Sequence, residues 1–219
     1  MMMLITSCKF SSEDPAVRRA NIDDAKANMD LASDMNIDKI RVYGGRIDPE
    51  IDRADAHVWI VESLREVVEY GQSVEVYAAM ETHDDFVDTD IVRSILDAVD
   101  HPYMKIQWDT HHPFRVFKQD PQRCWDNLGV HVVDTHFKDS FLTTEVKSGY
   151  KYCLLGEGDI PIVPTLQVLK DGGYDGYLTL EWEKAWQDYL PEPTVGFPQY
   201  VTKIRERAAE LSTKLEGSV

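Results

Sequence analysis

The chain has 219 residues, 43% of them hydrophobic and 10% aromatic, with 39 acidic against 23 basic side chains for a formal charge of −16. That length suits one domain, residues 1–219, with a substantial core. The acidity opposes approach to phosphate backbones, and no apolar run reaches the roughly 18–20 residues that span a bilayer, so neither a nucleic-acid nor a membrane partner is expected.

Residues 3–10 read as a first strand, and Ser-Ser-Glu-Asp-Pro at 11–15 as a turn opening a helix. On that helix Ile22, Ala25, Met29 and Ala32 recur at spacings of three and four, forming one apolar stripe. A second strand over 38–45 closes on Gly44-Gly45, a pair that permits a sharp turn. The helix over 52–70 turns Val61, Leu64 and Val68 inward, and Gly71 stands where a helix C-terminus favours glycine. A third strand, 74–80, has Glu81 at its tip. Asp88-Thr-Asp opens a short helix, and the alternating run Met104, Ile106, Trp108 marks the next strand. A brief helix over 121–128 stops at Gly129, and the following strand runs through His136. Residues 149–161 read as a loop, 162–170 as a helix, 176–183 as the last strand and 197–214 as a terminal helix. Strands beginning near 3, 38, 74, 104, 130 and 176 and alternating with helices argue for a parallel sheet covered by helices.

Three widely spaced cysteines, Cys8, Cys124 and Cys153, with no CxxC pair, indicate neither a disulfide framework nor a thiolate zinc site. The first residues, Met-Met-Met-Leu-Ile-Thr-Ser, lack the basic region and cleavage site of a secretory signal, so a cytoplasmic location is expected.

Four of the strands end in chemistry: Glu81-Thr-His83, Asp109-Thr-His-His112, His136-Phe-Lys-Asp139 and Glu181-Trp-Glu183. Buried strands with carboxylates and imidazoles at their C-terminal tips suggest a barrel or an open α/β sheet carrying metal or acid–base chemistry. Taken singly, each such residue is more readily a helix cap, half of an ion pair or a satisfied core histidine; the fourfold recurrence favours metal binding. His111 reads as a core or solvent-facing histidine, Glu183 as solvated beyond the strand end, and Gly156-Glu-Gly158 as a structural turn. Trp108, Trp182 and Trp186 are candidates for a sugar-binding wall or for plain core and rim packing.

With Met80-Glu81-Thr-His83, Trp108-Asp109-Thr-His-His112, His136-Phe-Lys-Asp139, Leu155-Gly-Glu-Gly-Asp159 and Leu180-Glu181-Trp-Glu183 in this order, the sequence resembles the xylose isomerase-like TIM barrels over about 3–204. That superfamily contains sugar and sugar phosphate isomerases and epimerases as well as the endonuclease IV type of DNA-repair enzyme. The resemblance implies a (β/α)8 barrel shortened at its N-terminal side to about six βα units. It also implies one divalent metal held by Glu81, Asp109, His136 and Glu181. Three carboxylates with one imidazole suit Mn²⁺ or Mg²⁺ better than a thiolate metal, Mn²⁺ being the first expectation, and Zn²⁺ and Co²⁺ are compatible.

By the same resemblance Glu81 and Glu181 alternate as base and acid on a proton next to a carbonyl of a small carbohydrate. His112 then hydrogen-bonds a substrate hydroxyl, with His83 and Lys138 as further candidates for that contact. The family epimerases commonly carry an arginine shortly after the strand-seven histidine, whereas residues 140–146 here read Ser-Phe-Leu-Thr-Thr-Glu-Val. Competing expectations are an inosose-type dehydratase, which shares the proton abstraction, and an endonuclease IV-like phosphodiesterase, which seven histidines and the acidic charge disfavour. A non-catalytic truncated barrel that binds a partner or a sugar is the third. An open barrel exposes two sheet edges, so a homo-oligomer that shields them is expected.

Overall fold

The computed structural model of the chain describes residues 3–216. β1 (Leu4–Lys9) leads into α1 (Pro15–Asp34), whose first turn is set by Pro15 and by Asp14 accepting the Ala16 N–H at 2.8 Å. The expected stripe of Ile22, Ala25, Met29 and Ala32 is the buried face of α1. β2 (Lys39–Tyr43) follows, then α2 (Arg53–Val74), capped by Asp52 through the Ala54 N–H at 2.8 Å.

Gly71 does not end α2, as its position in the sequence suggests. The helix continues to Val74 and stops at Glu75, which takes the left-handed conformation with φ 59°. Gly71 is needed for a different reason: a Cβ there would lie 2.3 Å from the carbonyl oxygen of Val76 and 3.0 Å from Cε of Met29. The chain leaving α2 therefore folds back against the helix itself, and β3 (Tyr77–Glu81) begins later than the expected strand.

The remaining elements are α3 (Thr89–Val99), β4 (Met104–Asp109), α4 (His112–Phe117), α5 (Pro121–Leu128), β5 (Val132–Phe137), β6 (Asp139–Leu142), β7 (Tyr150–Cys153), α6 (Ile162–Asp171), β8 (Leu178–Leu180) and α7 (Pro193–Glu216). Among the described residues six strands form one parallel sheet in the order β1-β2-β3-β4-β5-β8, with alternating helices, as in a TIM barrel. α4, which the sequence does not mark, begins three residues beyond the end of β4, and β6 pairs antiparallel with β7, which lies inside the stretch 149–161 expected to be a loop. The short hairpin strands lack the buried-exposed alternation from which a strand is read: all four residues of β7 are half-buried.

No helix among the described residues is long and apolar enough to cross a membrane. The core lies between the sheet and the helices, where Met104, Ile106 and Trp108 of β4 and Val92, Ile95 and Leu96 of α3 belong to one buried cluster. Trp108, a candidate for a sugar-binding wall, is thus a core residue.

Gly71→Ala gives a signed test of this packing. In an open helix the change would stabilise by about 0.5–1 kcal/mol. Against the Val76 carbonyl it is expected to destabilise by about 1–3 kcal/mol, read from urea unfolding, and a gain in stability would refute the close approach.

Candidate metal centre

Alternation along β4 sends Met104, Ile106 and Trp108 toward the helices and Lys105, Gln107 and Asp109 toward the inner face of the sheet. The parallel register then stacks the inner residues in tiers. Glu81 of β3 lies beside Gln107, and Asp109 lies beside His136 of β5, which in turn lies beside Thr179 of β8. Glu181, two residues beyond Thr179, is tied to the sheet by its N–H to the Phe137 carbonyl at 3.0 Å.

Donor atoms of Glu81, Asp109, His136 and Glu181 consequently lie within 4.8 Å of one another. Glu81 and Asp109 are fully buried. His136 Nδ1 stands 2.9 Å from Glu81 Oε1 and 3.6 Å from Glu181 Oε2. Arg41 of β2, which no sequence pattern singled out, donates to Glu81 Oε2 at 3.0 Å. Asp109 Oδ1 accepts the N–H groups of His111 at 2.8 Å and of His112, the first residue of α4, at 3.1 Å. Its Oδ2 lies 2.8 Å from Lys138 Nζ but accepts no well-aligned hydrogen bond.

Lys138 is not on the wall of the open pocket. It is buried among carboxylates, touching Asp109, Glu181 and, at 3.2 Å, Glu183. Glu183, expected to be solvated, is drawn in by this contact and its side chain is 17% exposed. Four carboxylates face two permanent cations, Lys138 and Arg41, which leaves two negative charges when His136 is neutral. That deficit, the oxygen-rich donor set and the unbonded Asp109 Oδ2 fit a divalent cation. A second set, Asp109 with His111 and His112, shares the aspartate, but His111 Nε2 is engaged with the Ser140 hydroxyl at 2.8 Å.

The electrostatics follow from these neighbours. Burial opposes ionisation of Asp109, yet His112 when protonated and Lys138 throughout hold its carboxyl well below the usual range. Burial likewise opposes charge on Lys138, but Asp109 and Glu181 raise its ammonium well above the ordinary lysine value. Glu81 is lowered because its hydrogen bond with His136 and the charges of His136 and Arg41 outweigh burial. Glu181 moves the other way: burial comes first, and the carboxylates of Asp109 and Glu81 add to it against Lys138. His136 is raised because Glu81 overcomes the effect of burial, whereas burial lowers His112.

Over this cluster opens a pocket of about 470 Å³ lined by His83, His112, Arg46, Glu183, Tyr150, Tyr152, Trp186 and Tyr189 among others. Of the three tryptophans considered for a wall, only Trp186 lines it, and Trp182 instead donates its indole N–H to the Pro191 carbonyl at 3.1 Å. The hairpin supplies the aromatic side of the pocket through Tyr150 and Tyr152, which the loop expectation had missed. Asp139 anchors it, accepting the N–H groups of Ser140 at 2.8 Å, Gly156 at 2.8 Å and Gly158 at 3.1 Å. Gly156-Glu-Gly158 is a turn held by this carboxylate, as expected from the sequence.

An α/β barrel sheet whose strand ends bring a buried acid–imidazole cluster together beneath one pocket defines the class of protein. The chain belongs to the xylose isomerase-like TIM barrel family, whose sequence profile matches residues 2–205. Among solved structures it is similar to an L-ribulose 3-epimerase, with a TM-score of 0.80 at 15% identity over 98% of this chain and 78% of that one. A xylose isomerase domain protein from Planctomyces limnophilus matches with a TM-score of 0.71 at 19% identity, over 94% of this chain and 78% of that one. The probable 3-DHS dehydratase AsbF from Bacillus anthracis matches with a TM-score of 0.68 at 20% identity, over 83% and 70%.

Lys138→Met tests the charge balance. Removing the ammonium leaves Asp109 and Glu181 buried without their counter-ion, so the metal-free protein is expected to lose about 3–5 kcal/mol in urea unfolding at neutral pH. A loss below about 1 kcal/mol would show the carboxylates to be compensated elsewhere.

Proposed function

We propose that the chain is a divalent-metal-dependent isomerase or epimerase of a small carbohydrate, moving a proton on the carbon next to a carbonyl. The observation that carries this reading is the convergence of donor atoms from β3, β4, β5 and the end of β8 within 4.8 Å, below a pocket of about 470 Å³. Glu81, Asp109, His136 and Glu181 would hold the ion, with Mn²⁺ as the expected metal. When bound, the ion supplies Lewis-acid stabilisation of the negative charge that develops on the substrate's oxygens.

The protein's own residues divide the rest of the work. Glu81, kept ionised by His136 and Arg41, is the ready proton acceptor, and Glu181, in the more strongly proton-retaining environment, returns a proton from the other side. His112 and His83 line the pocket, their Nε2 and Nδ1 facing Asp109 at 3.5 Å and Asp84 at 3.3 Å, and their rings are the proposed partners of substrate hydroxyls. Lys138, buried behind the pocket, holds Asp109, Glu181 and Glu183 in one cluster. Tyr150, Tyr152 and Trp186 give the sugar ring apolar faces on which to rest.

A dehydratase is the second reading. It begins with the same proton abstraction, and Glu183 provides a further acid on the pocket wall for a departing hydroxyl.

Incubating the Mn²⁺-loaded protein with a panel of free and phosphorylated ketoses in D₂O distinguishes these. Deuterium is expected at the carbon next to the carbonyl, and Glu81→Gln or Glu181→Gln is expected to slow its entry by about 10²–10⁴-fold. Exchange accompanied by an enone would select the dehydratase, and no exchange with any ketone would remove both.

Metal binding should also depend on pH with a definite sign. Ligation requires the neutral form of His136, and Glu81 raises its pKa above the ordinary 6.5. Below that raised value the ion must displace a proton, so apparent Mn²⁺ affinity is expected to fall about tenfold per pH unit as pH decreases. Calorimetric titration from about pH 5.5 to 8 reads this, and a flat profile would remove His136 from the ligand set.

A further inference from the structure

Gln107 lies on the inner face of β4, one tier below Asp109, and is 1% exposed. Its amide nitrogen is 2.9 Å from His136 Nε2, the ring nitrogen turned away from Glu81. Its amide oxygen is buried and has no hydrogen-bond partner. A buried acceptor left unbonded costs roughly 1–3 kcal/mol, and native folds seldom keep one without a use.

We propose that Gln107 is the positioning residue of the metal centre, serving both tautomers of His136 by turning its terminal amide. This rests on the metal reading above. The Gln107 amide nitrogen, which can only donate, faces His136 Nε2 at 2.9 Å; this assigns Nε2 as acceptor and Nδ1–H as donor to Glu81 Oε1 at 2.9 Å in the metal-free protein. Ligation through Nδ1 requires the opposite tautomer, with the proton on Nε2. Half a turn of the amide about its last bond exchanges the oxygen and nitrogen of Gln107 and presents the oxygen as acceptor for that Nε2–H. An amide carries a donor and an acceptor on one rotor, so it satisfies the imidazole in both states; a hydrocarbon of the same size satisfies neither. In ligated centres the hydrogen bond to the outer ring nitrogen orients the imidazole and raises its basicity, and losing it weakens metal binding by about 10–100-fold.

Arg41 does not duplicate this role, because it holds Glu81 by charge and does not reach the ring's outer edge. Nor does Asp134, the cross-strand neighbour of Gln107. Its Oδ1 is turned to β5 and β8, accepting the Thr135 N–H at 2.7 Å and the Thr179 hydroxyl at 2.8 Å, and no hydrogen bond joins it to His136.

Zn²⁺, a diamagnetic probe, gives the test on the full chain. In wild type, ¹⁵N-edited spectra of His136 above its raised pKa are expected to show Nδ1–H without metal and a slowly exchanging Nε2–H with Zn²⁺. Gln107→Leu is expected to bind Zn²⁺ about 10–100-fold more weakly and to lose the slow Nε2–H, while Gln107→Glu, which also accepts from Nε2–H, keeps the affinity within about tenfold of wild type. Should Gln107→Leu fail to fold, the tautomer exchange in wild type and the Glu variant decide the matter. Equal Zn²⁺ affinity in wild type and Gln107→Leu, or a wild-type His136 that keeps one tautomer with and without Zn²⁺, overturns the inference and leaves the metal reading standing. A wild type that binds no Zn²⁺ overturns both.

Discussion

The buried cluster of carboxylates around Lys138 is the constraint on which the rest of the site depends. Asp109, Glu181 and Glu183 all touch one ammonium, and Glu81 is matched by Arg41 and His136. Burying an unpaired ion costs several kcal/mol, so none of these groups sits where it does independently of the others. Lys138 fixes the positions of Asp109 and Glu181 from below the pocket, while Arg41 fixes Glu81 from the side of β2. With His136 neutral, the two negative charges left over fit a divalent cation. A neutral or monovalent occupant would leave part of that charge uncompensated in a site screened little by solvent.

The sheet delivers these groups with few degrees of freedom. Side chains at alternate positions of a strand share a face, and neighbouring parallel strands set those faces in register. Once Asp109 is opposite His136 and Glu81 is opposite Gln107, the distances within the cluster follow from the backbone. The helices add the next restriction. Asp109 uses one oxygen to hold the N–H groups that lead into α4, while the other faces the cluster beside Lys138. One carboxylate thus both fixes the turn into α4 and faces the inner cluster.

What could be read from the sequence was set by how local the signal is. A carboxylate after an apolar alternating run is a local pattern, so the strand tips at Glu81, Asp109 and Glu181 were legible, as was His136. The buried stripe of α1 was legible for the same reason. Gln107 was not, because a polar residue within an alternating strand reads as a surface position until the sheet curves its inner face into a barrel. Arg41 was missed likewise: in Arg-Val-Tyr it is one more polar alternate, and only the register with β3 brings it to Glu81. Glu183 was misread as solvated because the contact that buries it comes from Lys138, more than forty positions earlier. Gly71 carried a true signal, the need for no Cβ, that local rules assign to a helix end and tertiary packing assigns to the Val76 carbonyl.

Where the family epimerases commonly carry an arginine after the histidine that His136 matches, this chain has the hairpin of β6 and β7. The arginine in this neighbourhood comes from α4 instead: Arg115 donates to the Ser140 carbonyl at 2.7 Å and pairs with Asp159. It therefore braces the outside of the hairpin, with His111 bonding the Ser140 hydroxyl beside it. With its cation spent on this support, the hairpin presents Tyr150 and Tyr152 to the pocket rather than a guanidinium. Arg46 is the one arginine lining that pocket; its side chain is 86% exposed and already paired with Asp84. Positive charge thus lies at the rim and beneath the floor, where Lys138 is matched by carboxylates, and the space between is bounded by aromatic rings and imidazoles. Walls of this kind offer a ligand ring faces and hydrogen-bonding nitrogens, with the charge held at the floor.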